Sequence, residues 1–165
     1  MLLNLVISGL VIVLTAPALL DQIPVLSGSL SVSIYLTDLI LMMVLLALLL
    51  FVHEFLHLAL IPGFIWSQKN YAGLTFAGPF VATGEVLTRR RFVMISVTPF
   101  IVLSFLLPLI AGAAGMLSPL LSIIVLLNAL GASVDMLSMF LVLTQVPPGS
   151  RVVCNGMNTY WKAHN

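Results

Sequence analysis

His53-Glu54-Phe55-Leu56-His57 lies inside the longest unbroken apolar run of the chain, residues 39 to 61. Two of the three histidines and one of the five acidic residues fall within these five positions. Residues four apart on a helix share a face, so His53 and His57 can both address one metal ion. Glu54 can reach a water beside that metal. This is the spacing in which two His hold Zn²⁺ and the Glu serves as general base. The flanking residues set it in a membrane helix rather than a soluble cleft.

Composition agrees with that setting. Hydrophobic residues make up 61% of the 165 and charged residues 7%. Soluble domains carry roughly a quarter charged residues, so an α-helical integral membrane protein is expected. The length suits one domain, residues 1–165. A formal net charge of +1, with no basic stripe among aromatics, excludes a nucleic-acid surface. The single Cys154 excludes an internal disulfide and a multi-cysteine zinc site.

The apolar pattern predicts about four transmembrane helices, at residues 1–20, 39–61, 92–117 and 120–145. The first has no basic n-region, and no Lys or Arg precedes Lys69, so it reads as a retained helix and not a signal peptide. Residues 21–38 read as a polar loop with one extended piece at 31–35. Pro62-Gly63 stops the second helix. Residues 71–76 and 79–87 have strand character, with Gly78-Pro79 as the turn, which predicts a small β-hairpin or re-entrant segment between helices 2 and 3. Arg89-Arg90-Arg91 reads as an interfacial anchor at a helix start. Pro99 and Pro108 predict distortions within the third helix. Pro147-Pro148-Gly149 ends the fourth, and a short strand is expected near 151–154.

Charge placement gives an orientation. All six Lys and Arg fall in two places: Lys69 with Arg89 to Arg91, and Arg151 with Lys162. With four crossings both lie on one side, which the positive-inside rule puts in the cytoplasm together with both termini. At 1.5 Å per residue, His57 is roughly 8 Å and His53 roughly 14 Å from that end of their helix, and Asp135 is roughly 15 Å into the fourth helix. A carboxylate in mid-membrane is costly and marks function, so Asp135 is the leading candidate for a third ligand. Glu85, Asp38, Asp21, His164 and Cys154 read as loop or tail residues. Asn128 lies seven residues before Asp135, nearly on its face, with Gly131 and Ser138. Gly131 would admit another helix closely. Asn128 could bind the substrate backbone or stabilise an oxyanion, or equally make an interhelical hydrogen bond.

The helix around His53-Glu54-x-x-His57, the segment Arg90-Arg-Phe-Val-Met-Ile-Ser-Val-Thr-Pro99-Phe100 and Asn128-Ala-Leu-Gly-Ala-Ser-Val-Asp135 resemble the small zincin peptidases of bacterial and archaeal membranes. Pro147-Pro-Gly-Ser-Arg-Val-Val and Tyr160-Trp161 fit as well. That family is similar in design to the site-2 proteases. The resemblance implies His53, His57 and Asp135 as ligands, Glu54 as catalytic base, Zn²⁺ as cofactor and a prokaryotic cell membrane. Val134 stands where the family usually has Gly, and the Leu-Asp-Gly pattern of site-2 proteases is absent, so the likeness to those enzymes extends to fold and ligands only.

The expected activity is hydrolysis of peptide bonds in membrane or membrane-proximal protein substrates. The competing expectation is a metal-binding membrane protein without proteolysis, such as a zinc carrier, sensor or inactive homologue. It needs the ligands but not Glu54. A purely structural helical membrane protein is the third reading.

Overall fold

The computed structural model describes residues 36–75, 78–155 and 158–163. The expected first helix and the extended piece at 31–35 lie outside the described residues. Among the described residues, three helical stretches are long and apolar enough to cross a membrane: Leu36–Leu60, Arg89–Ala113 and Pro119–Gln145.

Helix α1, Leu36–Leu60, carries the His-Glu-x-x-His stretch. Its 25 residues span about 37 Å, enough for a hydrocarbon core of about 30 Å. It starts three residues earlier than the apolar run suggests, so Asp38 lies in its first turn and not in a loop. There a carboxylate complements the unpaired N–H groups. Leu39, Ile40, Met43, Val44, Leu48 and Phe51 are exposed. Each costs roughly 1.5–3 kcal/mol if left in water, so this face suits lipid.

The second stretch comprises α2 (Arg89–Pro99), a π-helical segment (Phe100–Leu106) and α3 (Leu107–Ala113). The distortion expected from the prolines takes this form. Pro99 removes a helical N–H, and the widened turns begin at the next residue. Pro108 falls in the first turn of α3, where a missing N–H is harmless.

The third stretch is α4 (Pro119–Gly131) followed by α5 (Ser133–Gln145), not the single helix expected over 120–145. Gly131 costs about 1 kcal/mol relative to Ala within a helix, and the interruption follows it. Ser118 caps α4, its Oγ accepting from the Leu121 N–H at 3.2 Å.

The chain forms two compact units, residues 1–49 with 100–131 and residues 50–99 with 132–165. In the first, Val125 and Ala129 of α4 pack with Phe100, Leu107, Leu121 and Leu126. Asn128 is buried there, and its Nδ2 donates to the buried Ser104 Oγ at 2.8 Å. A Cβ added at Gly131 would meet no described atom within 4 Å, so no described helix makes the close approach expected at that glycine.

In the second unit, β1 (Asn70–Thr75) and β2 (Gly78–Thr83) form the expected antiparallel hairpin. The turn is not at Gly78-Pro79. Leu74 pairs with Pro79 and Thr75 with Gly78, so both residues belong to β2. A two-stranded ribbon has outward-facing backbone positions where Pro needs no N–H. A second sheet has the order β3 (Leu87–Thr88), β4 (Arg151–Asn155), β5 (Asn158–Lys162). Cys154 sits in β4, the short strand expected near 151–154. Ile61, Leu87, Phe92, Ile95, Val142, Val146 and Val152 make the core.

The arginine run does more than flank a helix. Arg89 donates to the Leu143 carbonyl in the last turn of α5 at 2.7 Å, and Arg91 Nε to the carbonyl of Leu60, the last residue of α1, at 3.0 Å. Each cation satisfies a carbonyl left over at a helix C-terminus, where the helix dipole favours positive charge.

Candidate metal centre

Every donor of the centre belongs to the second unit. Helix periodicity puts His53 and His57 on one face of α1, and Asp135 enters from the first turn of α5. His53 Nε2 lies 3.1 Å from Asp135 Oδ2, His57 Nε2 lies 3.3 Å from the same oxygen, and the two Nε2 atoms are 3.2 Å apart. The side chains of His53, His57 and Asp135 are 9%, 12% and 29% exposed.

Hydrogen-bond arithmetic tests whether this triangle is self-sufficient. His57 Nδ1 is 2.9 Å from the Ile95 carbonyl oxygen. A carbonyl only accepts, so Nδ1 carries the proton and neutral His57 presents a bare lone pair at Nε2. Ionised Asp135 Oδ2 also only accepts. His53 Nε2 can supply at most one proton, to one of the two. Two acceptors then still face each other at 3.3 Å. A metal cation between them removes the conflict, as a second proton on His57 would. Two imidazole nitrogens and a carboxylate oxygen suit Zn²⁺, and ligands at 2.0–2.1 Å in a tetrahedron stand about 3.3 Å apart. The three observed edges match that figure, so these residues fit a zinc ion.

Glu54 is the neighbour of this triangle. It lies within electrostatic reach of His57, His53 and Asp135, and the backbone N–H of Val81 in β2 points at its carboxylate. A cavity of about 360 Å³ opens beside the centre, lined among others by His57, Asp135, Val81, Thr83, Ser96 and Cys154. Burial pushes the Cys154 thiol above its usual range, partly offset by Thr159 at 3.8 Å. Of the other acids, Glu85 is held by the Ser67 hydroxyl and Lys69. Asn128, with its hydrogen bond to Ser104, belongs to the first unit and has the interhelical contact weighed for it above. Sequence reading missed the Ile95 carbonyl and the Val81 N–H beside Glu54, because main-chain atoms leave no residue-type signal. Pro99, four residues after Ile95, was the available hint.

A helix-borne pair of histidines, an acid from a second helix and an adjacent glutamate define a candidate metal centre of the metallopeptidase type. The model of the family described as putative zincin peptidase (DUF3267) matches residues 46–151, and the chain belongs to that family. The match covers α1 from before His53 through Asp135 to the start of β4. Membership points to a zinc metallopeptidase. No curated protein and no solved structure matches the chain.

Proposed function

We propose that the protein is a membrane-embedded zinc metallopeptidase acting on membrane or membrane-proximal protein substrates. The observation that carries this is the triangle of His53 Nε2, His57 Nε2 and Asp135 Oδ2, with the acceptor conflict it contains. These three residues hold the ion. Bound there, zinc supplies Lewis acidity, making water acidic near neutral pH and polarising a carbonyl. Glu54 takes the proton of the attacking water and returns it to the leaving amine. The three apolar stretches, with residues 1–20 as a fourth, cross a prokaryotic cell membrane, with both termini and the basic segments cytoplasmic. Water reaches the centre from that side through the cavity.

A helical substrate hides its peptide bonds and must be extended before cleavage. Strand β2 offers a means, since Val81, Ala82 and Thr83 line the cavity. A substrate segment added beside β2 would be fixed by main-chain hydrogen bonds, next to Glu54. Replacing residues 71–83 by a neutral linker should abolish cleavage; undiminished cleavage would remove this role.

Glu54→Gln separates the peptidase from a metal-binding protein without proteolysis. Zinc content measured on purified protein should be unchanged. Cleavage of a panel of quenched transmembrane peptides should fall about 10²–10⁴-fold, the usual worth of a general base. Full cleavage by Glu54→Gln would sink the catalytic assignment.

A further inference from the structure

The hydrogen bond that orients His57 depends on a carbonyl that an ordinary helix would not offer. In α2 the N–H of residue 99 would donate to the carbonyl of residue 95. Residue 99 is Pro, which has no N–H and whose ring crowds the carbonyl four residues back. The Ile95 oxygen is thereby left without its helical donor, and His57 Nδ1 meets it at 2.9 Å. Ile95 and Pro99 are both buried. The carbonyl before it, Met94, takes the Thr98 hydroxyl at 2.7 Å, a contact that itself tends to bend a helix. The Arg91–Leu60 hydrogen bond ties α2 to the end of α1 one turn before Ile95.

We infer that Pro99 is a positioning residue for the metal centre: by withholding its N–H it frees the Ile95 carbonyl to fix His57 with the proton on Nδ1 and the lone pair on Nε2. This rests on the zinc-site reading for its consequence, but the fixing of the tautomer does not require metal. An outer partner of this kind sets a ligand's ring orientation and its tautomer together. It also explains how one sequence element, a proline within an apolar helix, bears on chemistry carried by a different helix.

The test uses the intact chain in detergent, with ¹⁵N-labelled histidine and spectra recorded metal-free. Two variants are compared. Pro99→Ala restores an N–H that competes for the Ile95 oxygen. A backbone ester at position 99 carrying the Ala side chain has neither ring nor N–H. Wild type and the ester protein should show His57 with the proton on Nδ1, and Pro99→Ala should show a mixture of tautomers. Zinc affinity by chelator competition should fall about 10–100-fold in Pro99→Ala and stay within a few-fold of wild type in the ester. If the ester behaves like Pro99→Ala, the ring and not the missing N–H is responsible, and the proposal is wrong. An unchanged His57 tautomer in Pro99→Ala also overturns it. If wild type binds no zinc while the tautomer follows the missing N–H, the zinc-site reading fails and the positioning of His57 stands.

Discussion

Two buried polar clusters lie in the two units and behave differently. Asn128 and Ser104 in the first meet as donor and acceptor: the amide donates to the hydroxyl at 2.8 Å, in a core of Val125 and Ala129. His53, His57 and Asp135 in the second converge to within 3.3 Å, and with neutral histidines they have more acceptors than protons to share. Burial alone does not mark a functional site. In the first cluster a donor meets an acceptor, and in the second the side chains bring together three atoms of the kind that hold a metal ion.

The largest effect should come from breaking the second cluster. His53→Ala leaves two donors, and zinc affinity should fall further than the 10–100-fold typical of losing an outer partner. Retained binding, measured by chelator competition, would mean the ion is held elsewhere. Asn128→Ala should do the reverse. It leaves the buried Ser104 hydroxyl without its donor, at a cost of about 1–3 kcal/mol in denaturation, while zinc stoichiometry stays unchanged. Loss of zinc there would show that the clusters are not separate in function. Gly131→Ala is smaller still, a gain of up to about 1 kcal/mol, since the added methyl meets no described atom within 4 Å and Ala is the better helix former.

The smallest prediction concerns Cys154, which lines the cavity beside His57 and Asp135. Only the thiolate is alkylated, and burial favours the neutral thiol. Labelling at neutral pH should therefore be slower than in the unfolded chain. It should keep rising above about pH 8.5, where a free thiol begins to level off. A rate equal to that of the unfolded chain at neutral pH would mean the thiol is not held in the cavity.

Side-chain chemistry was legible in the sequence, and main-chain chemistry was not. His53 and His57 announced themselves by spacing, and counting depth along two helices paired them with Asp135. The hairpin was readable from the strand character of residues 71–76 and 79–87. Its turn was misplaced because Gly78-Pro79 carries a strong turn signal, while strand pairing in a two-stranded ribbon tolerates both residues. The break between α4 and α5 was missed because a lone glycine is tolerated inside a helix and no proline or turn cluster stands beside Gly131. Strands β3 and β5 are short and their stability comes from pairing with β4, a long-range contact that local pattern does not encode. The arginines were read as a membrane anchor, and their hydrogen bonds to Leu143 and Leu60 depend on helix ends distant in sequence.

The central claim is that three residues from two helices hold one zinc ion. X-ray absorption at the zinc edge, on the purified chain loaded with one equivalent, tests it most directly. The account predicts a first shell of nitrogen and oxygen at about 2.0–2.1 Å with two imidazoles, and loss of that pattern in Asp135→Ala. A sulfur shell at about 2.3 Å, or a spectrum unchanged by Asp135→Ala, would contradict it.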